Sequence, residues 1–208
     1  FIETLDDPAA GDDAATRSRF LGIMATETNR MQALVRDLMS LSRIEAEKYD
    51  PPQTPVDFAS IIMETVDHLR NSQKDRGADI AVDVTSDLPP VMGDVGQLRQ
   101  LASNILNNSM KYGHAGTPVS VSLTPSKSGA MINFAVTDVG DGIAPEHLPR
   151  LTERFYRVDS GRSRLVGGTG LGLSLVKHIV DRHRGHLEIR SILGKGTTVS
   201  ILLPVAHS

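Results

Sequence analysis

The 208-residue chain contains no cysteine. Disulfide frameworks, thiolate metal centres and cysteine nucleophiles are therefore excluded. No apolar run approaches the roughly 18 residues that a membrane span requires. Phe1–Leu5 runs straight into acidic residues and does not read as a signal peptide. Neither sign of charge dominates: 22 Lys and Arg stand against 25 Asp and Glu, a net charge of −3. That balance excludes a strongly basic nucleic-acid binder and leaves room only for a local patch. The HExxH spacing of a zinc hydrolase is missing, and so is an initiator Met, which points to a piece of a longer protein. What remains is ordinary for a folded soluble domain, with 39% hydrophobic and 23% charged residues. At about 150 residues per domain, the length predicts one large domain, or one domain plus a smaller helical element.

The chain divides at a cluster of helix breakers, Tyr49–Pro55 (YDPPQTP). Before it, residues 14–48 form the longest helical pattern, with Phe20, Met24, Met31, Leu34, Leu38, Leu41 and Ile44 fitting a three-and-four spacing that Glu27 or Thr28 interrupts between Met24 and Met31. Two readings stand: a long core helix, or one arm of a hairpin in a dimeric bundle. FIETLDD reads as a helix remnant ahead of a turn. After the breakers the pattern is mixed. Asp57 can cap a helix carrying Phe58, Ile61, Ile62, Thr65 and Leu69 on one face. Residues 79–85 alternate as a strand. Asp94 and Gln97 resemble a capping box opening a helix that runs to about Tyr112. Residues 119–125 and 131–138 predict a hairpin, as do HLEIRS and TTVSILLP around LGKG. Residues 139–169 are Gly-rich and without period, a length that usually marks a functional or mobile loop. A last helix is expected over residues 170–184.

Four local features carry chemistry. In Ser103–Tyr112 (SNILNNSMKY), three Asn fall within five positions of a predicted helix although Asn is a poor helix former. Asn104 and Asn108 share a face, and Lys111 continues it. Amide oxygens are neutral hard ligands for Mg²⁺ and an ammonium offsets phosphate charge, so this face suits a metal–phosphate group. A solvated polar face is the plainer alternative. In DVGDGI, Asp138 is a strand-end carboxylate able to accept from an exocyclic amine, and Gly140 and Gly142 let backbone approach a flat ligand; a simple turn would look alike. In GGTGLGLS, Gly168, Gly170 and Gly172 lead into a helix whose free N–H groups form an anion site. No strand directly precedes them, as a dinucleotide-binding turn requires, and the Lys of a P-loop is missing. GKGTT (194–198) is a tight turn that on its own reads as a hairpin loop.

Taken in order, these four motifs resemble the N, G1, G2 and G3 boxes of the ATP-binding domain of sensor histidine kinases, a Bergerat-fold family that includes gyrase, Hsp90 and MutL. ERFYRVDSGRSR (153–164) resembles the F box and lid, and LVRDLMSLSRIEA resembles the second helix of the dimerisation and phosphotransfer domain. FIETL and LSRIEA further resemble the phosphate-regulon sensor type. The resemblance implies an α+β fold. A helical hairpin remnant of a dimeric four-helix bundle (residues 1–52) would precede a catalytic α/β sandwich (residues 53–208) whose mixed sheet is covered by helices. It implies ATP and Mg²⁺ as ligands, with Asn108 holding the metal, Lys111 and Arg157 offsetting phosphate charge, and Tyr112 and Asp138 contacting adenine. It gives Gly140, Gly142, Gly168, Gly170 and Gly172 the role of backbone approach and lid hinges. Thr198 is placed near the adenine. Asn104 stands where the hydrolytic relatives carry a catalytic Glu, and an amide there lacks a general base. Phosphoryl transfer to a protein acceptor is thus favoured over hydrolysis. The implied partners are a response regulator and, through the bundle, a second copy; nucleic acid is not among them. The implied setting is the cytoplasmic portion of a bacterial inner-membrane sensor.

The chain departs from the family in two places. None of its seven His (68, 114, 147, 178, 183, 186, 207) is followed by Glu, as the phosphoacceptor would be. The acceptor is therefore expected before Phe1, and the chain alone is not expected to autophosphorylate. In addition, Thr152 stands where the F box usually has an aromatic. The competing reading is a degenerate nucleotide-binding interaction module without catalysis. Gly161, Gly167, Gly168 and Gly170 bracket a stretch carrying Arg162 and Arg164, which is expected to close over phosphates.

Overall fold

The computed structural model describes residues 14–47, 49–72, 79–158 and 168–206. The expected FIETLDD helix remnant and the Gly161–Gly167 part of the lid lie outside those residues. The elements in chain order are helix α1 (Ala14–Ala46), strand β1 (Pro55–Val56), helix α2 (Phe58–Ser72), strands β2 (Ile80–Val84) and β3 (Val91–Met92), and helix α3 (Val95–Tyr112). Strands β4 (Val119–Pro125) and β5 (Met131–Asp138), a 3-10 turn (Pro145–Arg150), helix α4 (Gly172–Arg182), and strands β6 (His186–Ile192) and β7 (Gly196–Pro204) follow.

Five strands form one mixed sheet in the order β2-β4-β5-β7-β6. β2 pairs parallel with β4, and every other neighbour is antiparallel. Both expected hairpins are present, β4–β5 and β6–β7. Alternation sends Val119, Val121, Leu123, Ile132, Phe134 and Val136 to one face, with Val199, Ile201 and Leu203 beside them, all buried. α2, α3 and α4 cover that face, and Phe58 of α2 meets Phe134 edge-on with ring centres 5.5 Å apart. The fold is therefore the expected α+β arrangement of helices on a mixed sheet.

The helix starts follow the capping logic. Asp57 accepts from the Ser60 amide at 3.1 Å and Asp94 from the Gln97 amide at 2.9 Å. The Gln97 side chain does not reciprocate, so Asp94 caps without completing a box: Gln97 Oε1 is buried and has no partner. His183, after the end of α4, accepts from the Asp94 amide at 3.1 Å and fastens the start of α3 to the end of α4.

α1 is long, about 50 Å at the standard helical rise. Only Leu41 and Ile44 are buried along it. Leu21, Met31, Val35, Leu38 and Met39 are exposed. The core-helix reading of its periodic pattern therefore holds only for its last turns, which pack against α4.

Candidate functional site

α3 supplies the centre of the site. Its inward stripe, Leu98, Leu101, Ala102, Ile105 and Leu106, is buried against the core, and this rotation sends Asn104, Asn108 and Lys111 to the helix edge beside α4. Asn104 lies against the first residue of α4: a methyl group at Gly172 would sit 3.3 Å from Asn104 Oδ1. Its Nδ2 is buried and unpartnered. Lys111 lies against Gly168, where a methyl group would be 2.8 Å from Nζ, and the same ammonium is 5.1 Å from the Tyr112 ring centre. Gly168 and Gly172 are thus the gaps in the chain through which the α3 side chains reach the N-terminus of α4. Arg157 also keeps a buried Nη2 without a partner. A buried amide N–H and a buried guanidinium N–H without acceptors are costly unless something else accepts from them.

Asp138 closes the opposite end. It is 6% exposed, and its Oδ1 accepts from the Thr197 amide at 3.2 Å. Burial raises its pKa above the ordinary carboxylate value; the Thr197 amide, the Ser109 hydroxyl and the His114 charge pull it back. Gly113 and Gly140 form a bridge between the end of α3 and the loop after β5, and Gly140 leaves no room for a side chain under the Tyr112 carbonyl. Gly142 fits against the Ile192 carbonyl. Its contact is with the β6–β7 hairpin, which holds the loop in place. Gly196, at φ +127, passes under the Asp138 carbonyl, a conformation and clearance that other residues lack. The GKGTT turn is therefore the floor on which Asp138 rests. Before the start of α4, Gly170 has φ +73, and its carbonyl accepts from the Phe155 amide at 2.9 Å. That bond joins the two chain segments flanking residues 159–167.

Contacts bring Asn104, Lys111, Tyr112, Asp138, Gly140, Gly168, Gly170 and Gly172 to the region between α3, the loop after β5 and the start of α4. Asn108 lies one turn from Asn104 on α3, and Gly142 rests on the β6–β7 hairpin. Arg157 makes no contact among the described residues that joins it to them. Thr198 does not join them. β7 is pleated with Val199, Ile201 and Leu203 inward, so Thr198 points to the outer sheet face and pairs there with the Thr137 hydroxyl at 3.0 Å. Its neighbour Thr197 is the residue that meets Asp138. Sequence reasoning missed Thr197 and Ser109; counting back by two from Val199 would have found the first. Tyr112 is half-exposed at the groove edge.

Among the described residues no group of three or more His, Asp or Glu side chains is placed to hold a metal.

A family model described as histidine kinase-, DNA gyrase B- and HSP90-like ATPase matches residues 93–207. The chain belongs to this ATPase family. Membership carries ATP binding with it, and the match begins just before α3, the helix that lines the groove. Among individual proteins, the chain is 38% identical over 203 residues to the sensor-like histidine kinase SenX3 of Mycolicibacterium smegmatis, covering 94% of this chain and 50% of that protein. It is 38% identical over 202 residues to the phosphate regulon sensor protein PhoR of Pseudomonas aeruginosa, covering 95% of this chain and 44% of that one. It spans about half the length of the curated relatives it matches. Of solved structures, full-length ShkA in complex with AMPPNP superposes with a TM-score of 0.74 at 27% identity, over 94% of this chain and 40% of ShkA. The mycobacterial sensor histidine kinase MprB superposes at 0.61 with 30% identity, over 75% of this chain and 99% of MprB. Among the described residues of this ATPase-family chain no helix is long and apolar enough to cross a membrane.

Proposed function

We propose that the chain is the ATP-binding catalytic portion of a two-component sensor histidine kinase of the SenX3 and PhoR kind. Residues up to about 52 belong to its dimerisation and phosphotransfer bundle, and those from 53 onward to its catalytic domain. The observation that carries this reading is the Asn104 amide, buried and unpartnered at the start of α4. It offers a donor to an anion there, but no basic atom able to activate water.

In this reading Asp138 accepts from the exocyclic amine of adenine, oriented by the Thr197 amide and the Ser109 hydroxyl. Tyr112 flanks the base at the groove edge. Lys111, Arg157 and the N-terminus of α4 face the phosphates, where Gly168, Gly170 and Gly172 allow close approach. Gly140 and Gly142 keep the loop under the base. The site fits a Mg²⁺ nucleotide, because two buried donors lack acceptors and Asn108 offers a neutral oxygen on the same helix edge. Bound Mg²⁺ would neutralise charge on the transferred phosphoryl group. During transfer the bond from the γ-phosphorus to the ADP oxygen breaks and a phosphorus–nitrogen bond to imidazole forms.

The acceptor is a histidine other than the seven in this chain. His183 is buried, and His114, His147 and His178 are held by Asp141, Tyr156 and Glu45. None of the seven is followed by Glu. The phosphohistidine would then serve a response-regulator aspartate, and the full protein would dimerise through its bundle.

The test is calorimetric titration of ATP with and without Mg²⁺, together with a steady-state assay of phosphate release. We expect Mg²⁺-dependent binding, a weaker Mg²⁺ dependence in Asn108→Ala, and negligible turnover. No binding at millimolar ATP refutes the reading, and sustained phosphate release would make the chain a hydrolase instead.

A further inference from the structure

Ser191, near the end of β6, joins two segments at the Asp138 end of the groove that are far apart in sequence. It is half-buried and stands opposite Thr197 in the β6–β7 register. Its Oγ donates to the Gly196 carbonyl at 2.8 Å, lies 2.8 Å from the Thr197 hydroxyl, and accepts from the Ile143 amide at 2.9 Å. A hydroxyl carries one proton and two acceptor sites. With that proton on the Gly196 carbonyl, the Thr197 hydroxyl and the Ile143 amide must both donate. Every site is then used, and the direction of each bond is fixed.

These partners lead to Asp138. The Thr197 amide donates to Asp138 Oδ1, and Gly196 passes beneath the Asp138 carbonyl. At 3.2 Å the amide bond is at the long end of the N–H···O range, so a small further displacement of Thr197 breaks it. Ile143 lies at the far end of the loop that leaves Asp138. Between the two, the Gly194 amide donates to the Asp141 carbonyl at 2.7 Å, and the Gly142 backbone lies against the Ile192 carbonyl. Those two ties run through backbone, and Ser191 adds a side chain that fastens the loop and Thr197 together. It reaches Asp138 through Thr197.

We propose that Ser191 is a positioning residue for adenine recognition: its hydroxyl fixes Thr197 against the Asp138 carboxylate and so sets the direction in which Asp138 accepts the exocyclic amine. Removing the hydroxyl leaves the Thr197 hydroxyl and the Ile143 amide without their acceptor, and Thr197 is no longer held in register with Asp138. The carboxylate, 6% exposed, then keeps the Ser109 hydroxyl and loses its backbone donor. It stays in the pocket but turns away from the amine. The effect is confined to that amine, because Lys111 and the start of α4 lie at the other end of the groove. The inference rests on the kinase reading above, since it takes adenine as the base.

The experiment titrates Mg²⁺-ATP and the Mg²⁺ complex of purine riboside triphosphate, which lacks the exocyclic amine, into the full 208-residue chain. Ser191→Ala, Ser191→Thr and Ser191→Val are titrated beside it, with the melting temperature of each recorded. The parent should prefer ATP. Ser191→Ala should weaken ATP about fivefold, the loss of one ordinary hydrogen bond, and leave the amine-free nucleotide within about twofold. Ser191→Thr keeps the hydroxyl and should bind as the parent does, whereas Ser191→Val has the same shape without it and should follow Ser191→Ala. In an Asp138→Asn background the ATP loss from Ser191→Ala should vanish, which a merely structural contact would not produce. Equal losses for the two nucleotides, unchanged ATP affinity in Ser191→Ala and Ser191→Val, or a Ser191→Thr chain that matches Ser191→Val overturns the inference and leaves the kinase reading intact. Failure of both Ser191→Ala and Ser191→Val to fold makes the hydroxyl structural and overturns it as well. A parent that binds the two nucleotides equally removes Asp138 from the amine and the inference with it. A parent that binds neither overturns the kinase reading too.

Discussion

At the scale of single residues, Asp138 concentrates the chemistry. A carboxylate 6% exposed is held by one backbone amide and one hydroxyl, with Gly196 closing beneath it. Burial strengthens each hydrogen bond the group makes and makes an unsatisfied one costly. Asp138→Asn should therefore keep the fold, because Asn fills the same volume, while lowering ATP affinity by about tenfold or more, the loss of one charge-assisted hydrogen bond. Matched melting curves together with a binding isotherm check this; unchanged affinity removes Asp138 from the adenine pocket. The residues in and around SNILNNSMKY were legible in sequence because poor helix formers in a helix need a reason. Thr197 was not. Its role depends on which way one strand faces, and a shift of one position exchanges it with Thr198.

Among elements, α1 and α4 are the contrasting pair. α4 is buried along Ser174, Leu175, Val176, Ile179 and Val180, with its N-terminus at the groove. α1 is anchored only near its end, through Leu41, Ile44 and the acids around them. A helix without tertiary contacts is marginal in water, since packing supplies most helical stability. Amide exchange in the isolated chain should therefore fall into two classes, fast over residues 14–34 and markedly slower over 37–46 and all of α4. Uniform protection along α1 would mean that its exposed Leu21, Met31, Val35, Leu38 and Met39 are covered by another copy. The repeat of apolar residues in α1 predicted the helix itself. It did not tell which turns would be buried, because the partner surface is assembled from residues more than 100 positions away.

For the whole molecule, His183 ties two helices together across the sheet's covered face. Its Nδ1 faces the Ile179 carbonyl at 2.8 Å and its Nε2 accepts the Asp94 amide, so the ring is held neutral. Burial and the Arg182 charge keep its pKa below the ordinary histidine value, against the pull of the Ile179 carbonyl and Asp94. The sign follows from linkage. Well above the ordinary histidine pKa of about 6.5 the ring is neutral in both states and contributes nothing to the pH dependence. Below it the unfolded chain takes up a proton that the native ring refuses, so stability falls with pH, by up to about 1.4 kcal/mol per pH unit for that one proton. Urea unfolding between pH 7.5 and 5 should show this slope (both ends of that range being on the order of one unit around the ordinary value), and His183→Gln should flatten it; parallel slopes would rule it out.

The sequence by itself determined the helices, the two hairpins, the capping aspartates and the order of the four motifs. Each depends on local spacing, and local spacing sets which side chains share a face. Only the tertiary structure decided the strand order β2-β4-β5-β7-β6, the face that Thr198 occupies, and the meeting of Asp37 with Thr169. Those are contacts between distant parts of the chain. They follow from how buried surfaces fit together, which no local pattern encodes.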